Sequence, residues 1–421
     1  MGFLVKQVKP SKYHMNFNSD TFCAAPWFQI RKEDNNNNYS PCCELDVKCS
    51  KFEGKTDYAW PTDTPTDYLN SEYVKYLRQN LNQGIKLSEC RRCWDKESAS
   101  IQSLRQIIND TVTNNQEKQL DQTWINAYFQ KKDNFEFDLL VSSDIKVSNL
   151  CNFSCAMCNP KYSSQIYTIW QKNQFHPIVK QTLNKNPTYL DDIKKRIVAS
   201  NYDYLDQILD ITPKHVKILG GEPLIDKPLL QRLINLPQSK KSKISLLFVT
   251  NGSVDLTEFS KKLTDYKQVN YVVSLDGIGP VLEYIRRGSN WNQIQENILE
   301  CNVKHGSVSI NFTLQCFNAW HVPEFYKWCK THNLKFSLGK VENPEYLSLK
   351  AIPDKMREQI YKKYRSSDMA KLDADSFTQV IQQTPYDKKI IPLTEEFLKW
   401  YDPESRWKTV LPEWQDFLLQ F

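Results

Sequence analysis

Six strand-like stretches that alternate with amphipathic, helix-like stretches predict an α/β fold: a partial (β/α)6 barrel of the TIM type. The predicted strands cover residues 145–150, 216–219, 244–249, 271–275, 308–314 and 335–338. Right-handed crossovers between successive parallel strands curl such a sheet toward a barrel. A cysteine-rich N-terminal segment and an aromatic-rich C-terminal segment flank this pattern. They predict a small N-terminal domain and a C-terminal extension that packs on the barrel.

These patterns divide the chain into four parts. A cysteine-rich domain is predicted over residues 1–98, a helical connector over 99–136, the barrel over 137–340 and the extension over 341–421. The long stretch between the first two strands predicts inserted helices. Helices are predicted at 162–170, 190–198, 228–236, 256–266, 294–303, 322–332 and 354–364.

Composition indicates an ordinary globular chain. Of the 421 residues, 40% are hydrophobic and 25% are charged, which is typical of soluble domains. The net charge of +6 does not demand a nucleic-acid partner, although one basic groove would be compatible with it. The N-terminus lacks the apolar segment of a signal peptide, and we expect no membrane span. Twelve cysteines, several at metal-ligand spacings, favour a reducing cytoplasm.

The strongest local signal is a loop with three cysteines, Cys151, Cys155 and Cys158, directly after the first barrel strand. Thiolates suit iron–sulfur clusters and zinc. Three thiolates can hold three corners of a four-iron cluster and leave one iron open to a small molecule. The alternatives are a zinc site and three buried thiols on one face of a helix, because spacings of four and three also fit a helix.

A second cysteine set lies in the N-terminal segment. Cys23 and Cys42 lie near the outer ends of a predicted hairpin, whose turn is the polar run 34–39, and Cys90 and Cys93 form a C-x2-C pair. Four thiolates can close a metal site completely. Spacing alone does not separate zinc from an iron–sulfur cluster, and scattered buried thiols are the remaining alternative.

Polar motifs follow the later strands. In such barrels the active site lies at the C-terminal ends of the strands. The candidates there are Gly220, Gly221, Glu222, Pro223, Asn251, Ser274, Asp276, Arg286, Arg287 and Gln315. Glycines allow close approach of a ligand, Glu222 can accept an ammonium group, and an arginine can bind a carboxylate. Tight turns and a surface basic pair are the alternative interpretations.

Other catalytic patterns are missing from the sequence. The six histidines form no metalloprotease motif, and no phosphate-binding loop or nucleophile elbow is present. Cys301, Cys316 and Cys329 lack cluster spacing and are predicted to be core thiols, with Cys316 close enough to a strand end to face the site.

Together the C-x3-C-x2-C loop, Gly220–Pro223 and the segment Val273-Ser-Leu-Asp-Gly277 resemble the radical S-adenosylmethionine (SAM) enzymes over residues 140–340. The N-terminal cysteine segment resembles a twitch domain, the single-cluster relative of the SPASM domain. The tail segment 343–348 is also similar to family members with an N-terminal twitch domain.

The resemblance implies specific roles. Cys151, Cys155 and Cys158 would hold a [4Fe–4S] cluster whose open iron binds the amino and carboxylate groups of SAM. Gly220, Gly221 and Glu222 would hold the methionine amino group. Ser274 and Asp276 would lie near the ribose, and Arg286 or Arg287 near the carboxylate. One-electron cleavage would then give methionine and a 5′-deoxyadenosyl radical, which abstracts hydrogen from a C–H bond.

The resemblance also implies an auxiliary cluster, expected to be [4Fe–4S], on Cys23, Cys42, Cys90 and Cys93. Cys42 fits the family pattern better than Cys43, and Cys49 has no assigned role. The implied substrate is a peptide or protein, and the implied electron donor is a flavodoxin or ferredoxin. A nucleotide, tRNA or small metabolite is the alternative substrate. A zinc-binding interaction protein without enzymatic activity is the alternative of another class.

Overall fold

The structure is a computed structural model that describes residues 20–32, 39–54, 65–98, 102–113, 141–198, 202–305 and 308–415. Its strands form a mostly parallel sheet in the order β2-β1-β3-β4-β5-β6-β7-β8. The strands are β1 Gln29–Lys32, β2 Tyr39–Ser40, β3 Ser142–Lys146, β4 His215–Leu219, β5 Ser245–Thr250, β6 Gln268–Ser274, β7 Val308–Leu314 and β8 Phe336–Lys340. The predicted α/β class is confirmed, and all six predicted barrel strands are present as β3 to β8.

The chain divides into two compact units, one of Met1–Lys146 with Asp203–Val216 and one of Val147–Tyr202 with Lys217–Phe421. The first unit contains the predicted hairpin, because β1 pairs antiparallel with β2. Of the predicted turn 34–39, residues 34–38 lie outside the described residues and Tyr39 belongs to β2. On its other side β1 pairs in parallel with β3, with Gln29 opposite Ser142. The N-terminal segment therefore contributes strands to the sheet as well as its own helices.

The helices described in the first unit are short. They are Ala25–Phe28, Pro65–Leu69, Glu72–Asn82, Arg91–Ser98 and Leu104–Thr113, followed after a break by Tyr202–Ile211, whose first residue belongs to the second unit. The longest of the first five begins after Ser71, whose hydroxyl accepts a hydrogen bond from the N–H of Val74, a normal N-cap. Its buried face, with Tyr73 and Leu77, packs in one core with Cys23. The part of the predicted connector after residue 113 lies outside the described residues.

The second unit contains strands β5 to β8, which are parallel neighbours in sequence order. Strand β7 shows why they form. Its buried residues Val308, Ile310, Phe312 and Leu314 alternate with less buried polar ones, which is the period of a pleated strand. Between and beside these strands, the helices of the second unit are Ser164–Lys172, Pro177–Lys185, Tyr189–Val198, Lys227–Asn235, Gln238–Lys241, Leu256–Lys261, Gly279–Ile285, Trp291–His305 and Val322–Thr331.

The C-terminal extension is helical and has a buried aromatic side. Its helices are Asp354–Ser366, Lys371–Gln382, Ile391–Tyr401 and Trp407–Val410. Phe397, Tyr401 and Trp414 are buried. Residues 416–421, the end of the predicted aromatic segment 407–421, lie outside the described residues. Within the described ranges, no helix combines the length and apolar character that a membrane span requires.

The first predicted barrel strand was placed too late. It runs over Ser142–Lys146 rather than 145–150. The polar residues Ser143 and Asp144 hid its beginning, although both are buried. After Lys146 the backbone leaves regular pairing: only Val147 still donates to Leu219, with N···O of 3.0 Å. The following residues instead approach the turn at Gly220 and Gly221.

Candidate functional site

The cysteine loop is an irregular segment, with no helix between Cys151 and Pro160. This finding excludes the alternative of three thiols on one face of a helix. Cys151 and Cys155 are buried and Cys158 is half-buried. The loop is fixed through its backbone, because the N–H groups of Ser154 and Ala156 donate to the carbonyls of Arg287 and Ile285, at 2.9 and 2.8 Å.

The thiols of the loop are buried close to one another, and this raises their pKa values. Burial raises the pKa of Cys155 to about 12. For Cys158 the pKa is also raised, first by burial and then by the neighbouring thiols of Cys155 and Cys151. Metal ligation deprotonates such thiols outright, because the metal charge replaces the lost solvation. The three side chains therefore lie close enough to interact and fit a cationic centre.

A single ion and a cluster hold their ligands at different spacings. Zinc ligands at about 2.3 Å from the metal place their sulfurs about 3.8 Å apart. Iron–sulfur clusters hold each thiolate on a different iron, so their ligands are spread around the cluster. Within the part of the chain that the structure describes, no three His, Cys, Asp or Glu side chains converge in a way that could hold a single metal ion.

Gly220 and Gly221 pack directly against the backbone that precedes the first cysteine. A Cβ on Gly220 would lie 2.6 Å from the carbonyl oxygen of Ser148, and one on Gly221 would lie 2.2 Å from that of Leu150. The N–H of Gly221 donates to Ser148 and that of Glu222 donates to Leu150, at 2.9 and 2.7 Å. The glycines therefore have a packing role in addition to the ligand approach that the sequence suggested.

Glu222 is almost completely buried, with 1% of its surface exposed. Its carboxylate accepts hydrogen bonds from the N–H of Leu224, the hydroxyl of Thr250 and the N–H of Asn251. Burial raises the pKa of Glu222 to about 7, although these hydrogen bonds oppose the rise. A buried carboxylate with spare lone pairs can accept a further donor, such as an ammonium group. Pro223 is buried beside it and begins a short 3-10 turn.

Asp276 and Arg286 form a buried ion pair, with a carboxylate oxygen 2.8 Å from a guanidinium nitrogen. Burial disfavours the guanidinium charge, but Asp276 and the thiol of Cys155 outweigh it, and the pKa of Arg286 is raised. Asp276 also accepts a hydrogen bond from the N–H of Thr313 at 3.1 Å. Because Asp276 follows β6 and Thr313 lies in β7, this hydrogen bond links the ends of the two strands. The ligand roles that the resemblance implies for both residues remain predictions.

Eight of the thirteen site residues predicted in the barrel meet around one cavity of about 270 Å³. Those that line it are Cys151, Cys155, Cys158, Gly220, Gly221, Asn251, Ser274 and Arg286. Glu222, Pro223, Asp276, Arg287 and Gln315 do not line it. Gln315 directly follows β7 and is fully buried. Within the described residues its side-chain amide forms no hydrogen bond, so it has free polar capacity at this strand end.

Sequence reasoning missed several residues that complete the site. Thr250 holds Glu222, and its position beside Asn251 at a strand end was the available signal. Asn152 accepts a hydrogen bond from the side chain of Asn251 at 2.9 Å. Asn318 donates to the carbonyls of Asp276 and Thr313, both at 3.0 Å. The contact of Asn318 with Asp276 spans 42 residues and has no local sequence signal.

The N-terminal cysteines form a separate group in the first unit. Cys23 and Cys93 are buried, and Cys42 and Cys90 are half-buried. The pKa of Cys42 is raised by burial and then by Cys23, Cys43 and Cys90, and that of Cys90 by burial and then by Cys23 and Cys93. The four predicted ligands are thus neighbours, while their role as ligands remains a prediction.

The other cysteines are distinguished by their surroundings. Cys43 is exposed, which makes Cys42 the better candidate of the doublet. The thiol of Cys49 lies 3.5 Å from a carboxylate oxygen of Asp46. Cys301, Cys316 and Cys329 are buried, as predicted for core thiols, and Cys316 does not line the cavity beside the cysteine loop.

Comparison with known proteins gives one family match. The model of the Radical SAM superfamily matches residues 145–329. Among curated proteins, the GTP 3′,8-cyclase of Brucella ovis is 29% identical over 154 residues, 33% of this chain and 44% of the relative. That of Brucella abortus strain S19 is 28% identical over 152 residues with the same coverage. The chain therefore spans less than half the length of the curated relatives it matches.

Solved structures with detected similarity include anSMEcpe with bound AdoMet and the Kp18Cys peptide. It is 17% identical, with a TM-score of 0.36, over 53% of this chain and 60% of that chain. Streptococcus suis SuiB bound to S-adenosylmethionine is 15% identical, with a TM-score of 0.35, over 70% of this chain and 60% of that chain.

Proposed function

We propose that this chain, whose residues 145–329 match the model of the Radical SAM superfamily, is a radical SAM enzyme. The observation that carries the proposal is the meeting of Cys151, Cys155 and Cys158 with Gly220, Gly221 and Arg286 around one cavity. The cysteines would hold a [4Fe–4S] cluster, and SAM would bind beside it. When bound, this pair supplies one-electron cleavage of SAM to methionine and a 5′-deoxyadenosyl radical, which takes a hydrogen atom from the substrate.

The protein's own residues would bind and orient SAM. Glu222 is fixed by three hydrogen bonds and would accept the ammonium group in a fixed position. Arg286, held by Asp276 at 2.8 Å, would place positive charge beside the thiolates and the carboxylate. Ser274 lines the cavity and offers a hydroxyl to the ribose. The burial of these groups would exclude water from the reacting centre.

For the substrate we propose a peptide or protein side chain. The cysteine-rich N-terminal segment supports this choice through its resemblance to twitch domains, many of whose family members modify peptides. A nucleotide is the second candidate, because the curated relatives are named GTP 3′,8-cyclase. Incubation of the active enzyme with co-produced peptides, and separately with GTP and tRNA, separates the two by mass spectrometry. A mass change confined to GTP or tRNA would contradict the peptide proposal.

We further propose an auxiliary iron–sulfur cluster on Cys23, Cys42, Cys90 and Cys93. Its support is the mutual proximity of these thiols and the core that Cys23 forms with Tyr73 and Leu77, against which Cys42 and Cys90 pack. An external donor such as flavodoxin or ferredoxin would supply the electron, and the cytoplasm would supply the reducing surroundings. Anaerobic measurement of electron transfer from each reduced donor to this protein tests the proposed donor.

The proposal is tested by SAM cleavage. Anaerobically reconstituted protein with SAM and a strong reductant is expected to yield 5′-deoxyadenosine, and the triple variant C151A/C155A/C158A is expected to yield none. Metal analysis separates the enzyme from a zinc-binding interaction protein. Two clusters require about eight irons per chain, whereas zinc without iron would contradict the proposed function.

A further inference from the structure

Tyr401 ends the C-terminal helix Ile391–Tyr401 and contacts a segment of the barrel far away in sequence. Its hydroxyl donates to the carbonyl of Tyr284 at 2.9 Å and reaches that of Ile285 at 3.3 Å. The residue is buried, with 7% of its surface exposed. Its ring packs edge-on against that of Tyr284, with centroids 5.8 Å apart. Tyr401 therefore fixes the backbone of this segment through both its hydroxyl and its ring.

The segment that Tyr401 holds is the one that supports the cysteine loop. The carbonyls of Ile285 and Arg287 accept the N–H groups of Ala156 and Ser154, which lie between the cysteines. Gly288 follows with φ of +100°, and a Cβ there would lie 3.2 Å from the carbonyl oxygen of Asn152. The loop and the segment are thus in close backbone contact, so a shift of one is expected to move the other.

Arg287 makes a second connection to the same tyrosine. Its guanidinium carbon lies 4.0 Å from the centre of the Tyr401 ring, within the range of a cation–π contact. The guanidinium also donates to the main-chain carbonyl of Tyr401. The resemblance implied that Arg286 or Arg287 binds the SAM carboxylate. In this structure Arg287 is engaged by Tyr401, which leaves Arg286 as the better placed of the two.

The same helix covers the cysteine loop on a second side. A cavity of about 310 Å³ is lined by Cys155 and Cys158 together with Phe397, Trp400 and Tyr401. These aromatic side chains reduce the access of water to the loop. Solvent exposure and hydrogen bonding near the sulfurs tune the potential of an iron–sulfur cluster, so the helix has a physical means of influencing the centre.

We propose that Tyr401 is a positioning residue for the cysteine loop, and that the helix Ile391–Tyr401 is part of the cluster site. The inference rests on the proposed function, because it concerns a cluster held by Cys151, Cys155 and Cys158. Tyr401 acts through the carbonyls of Tyr284 and Ile285, and these in turn fix the loop.

The test is Tyr401→Phe, which removes the hydroxyl and keeps the ring. Tyr266→Phe is the matched control, because Tyr266 is also buried and donates to a main-chain carbonyl, that of Leu233, at 2.9 Å. Tyr266 precedes β6, at the end of the strand opposite to the site. The readout is the electron paramagnetic resonance signal that is present in reduced wild type and missing in C151A/C155A/C158A. A second readout is the rate at which a chelator removes the corresponding iron.

We expect Tyr401→Phe to shift this signal and to lose its iron about fivefold faster, as the loss of one buried hydrogen bond predicts. Tyr266→Phe is expected to leave both unchanged. If Tyr401→Phe does not fold, Arg287→Lys, which removes the planar group above the ring, is expected to shift the same signal.

Equal spectra and iron-loss rates in Tyr401→Phe and Tyr266→Phe would overturn the inference alone. A wild type without any signal that depends on the three cysteines would overturn the proposed function, and this inference with it.

Discussion

Glu222 shows how a single buried residue can prepare a binding site. Its carboxylate is fully enclosed and fixed by three donors, yet the cost of burial raises its pKa to about 7. The residue is thus only partly ionised in the free protein near pH 7, and a cationic partner would favour its ionised form. Its sequence position was enough to nominate it. Two of its three partners were not predictable, because Thr250 and Asn251 lie 28 and 29 residues away.

The raised pKa of Glu222 predicts a pH dependence of stability. Its folded pKa of about 7 lies above its ordinary value of 4.5, so the folded state holds a proton that the unfolded state has lost between these values. Its contribution to the stability of the cluster-free protein is therefore present below pH 4.5 and lost as the pH rises to about 7. We expect the melting temperature of the wild type to fall relative to that of Glu222→Gln as the pH rises from 5 to 8. A pH-independent difference would contradict the assignment.

Gly221 predicts a packing effect that is independent of any ligand. A Cβ there would lie 2.2 Å from the carbonyl oxygen of Leu150, and backbone atoms cannot move away cheaply. Gly221→Ala is expected to destabilise the protein by about 1–3 kcal/mol, measured by chemical unfolding. Gly339→Ala is a suitable comparison, because the nearest atoms to a Cβ there lie at 3.9 and 4.0 Å, which is ordinary van der Waals contact. An equal or smaller loss for Gly221→Ala than for Gly339→Ala would contradict the packing role.

At the scale of the elements, the site depends on how the ends of neighbouring strands are joined. Asn318 donates to the carbonyls of Asp276 and Thr313 and accepts a hydrogen bond from the N–H of Gln315 at 2.8 Å. It therefore joins the ends of β6 and β7 beside the Asp276–Arg286 pair. Strand β7 could be predicted from its alternation of apolar and polar residues. The connection of Asn318 to Asp276 could not, because a hydrogen bond between residues 42 positions apart leaves no periodic pattern.

Replacement of Asn318 by Ala is expected to leave three buried backbone groups without partners. Each such group costs about 1–3 kcal/mol, although relaxation lowers the total, so we expect a loss of about 2–4 kcal/mol in the free energy of unfolding. SAM binding, measured by calorimetry on the cluster-loaded protein, is expected to weaken. Asn290→Ala, which removes a hydrogen bond to the N–H of Gln293 at an exposed helix start, serves as the control. Equal changes in unfolding free energy and SAM binding for Asn318→Ala and Asn290→Ala would contradict the proposal that Asn318 joins the two strand ends.

At the scale of the whole molecule, two cysteine groups belong to two compact units. The three-cysteine loop belongs to the second unit, and the four N-terminal cysteines belong to the first. Their spacing in sequence predicted the two groups, and the structure places the members of each group near one another. The identity of the metal could not be predicted from spacing, because zinc and iron–sulfur clusters accept similar ligand patterns.

Because the two cysteine groups are separate, removal of one group is expected to leave the metal of the other in place. Cys90→Ala with Cys93→Ala is expected to lower iron from about eight to about four per chain, since each cluster holds four irons. The signal that depends on Cys151, Cys155 and Cys158 is expected to remain. Iron analysis together with electron paramagnetic resonance tests this. Unchanged iron in the double variant would contradict the auxiliary cluster.

The most direct test of the central claim is the formation of 5′-deoxyadenosine from SAM under anaerobic reducing conditions. Cys158→Ala and Cys316→Ala are a matched pair, because each removes one thiol whose pKa is raised by burial, but only Cys158 lies in the loop. We expect 5′-deoxyadenosine from wild type and from Cys316→Ala, and none from Cys158→Ala. Product from Cys158→Ala at the wild-type rate, or none from wild type with intact clusters, would contradict it.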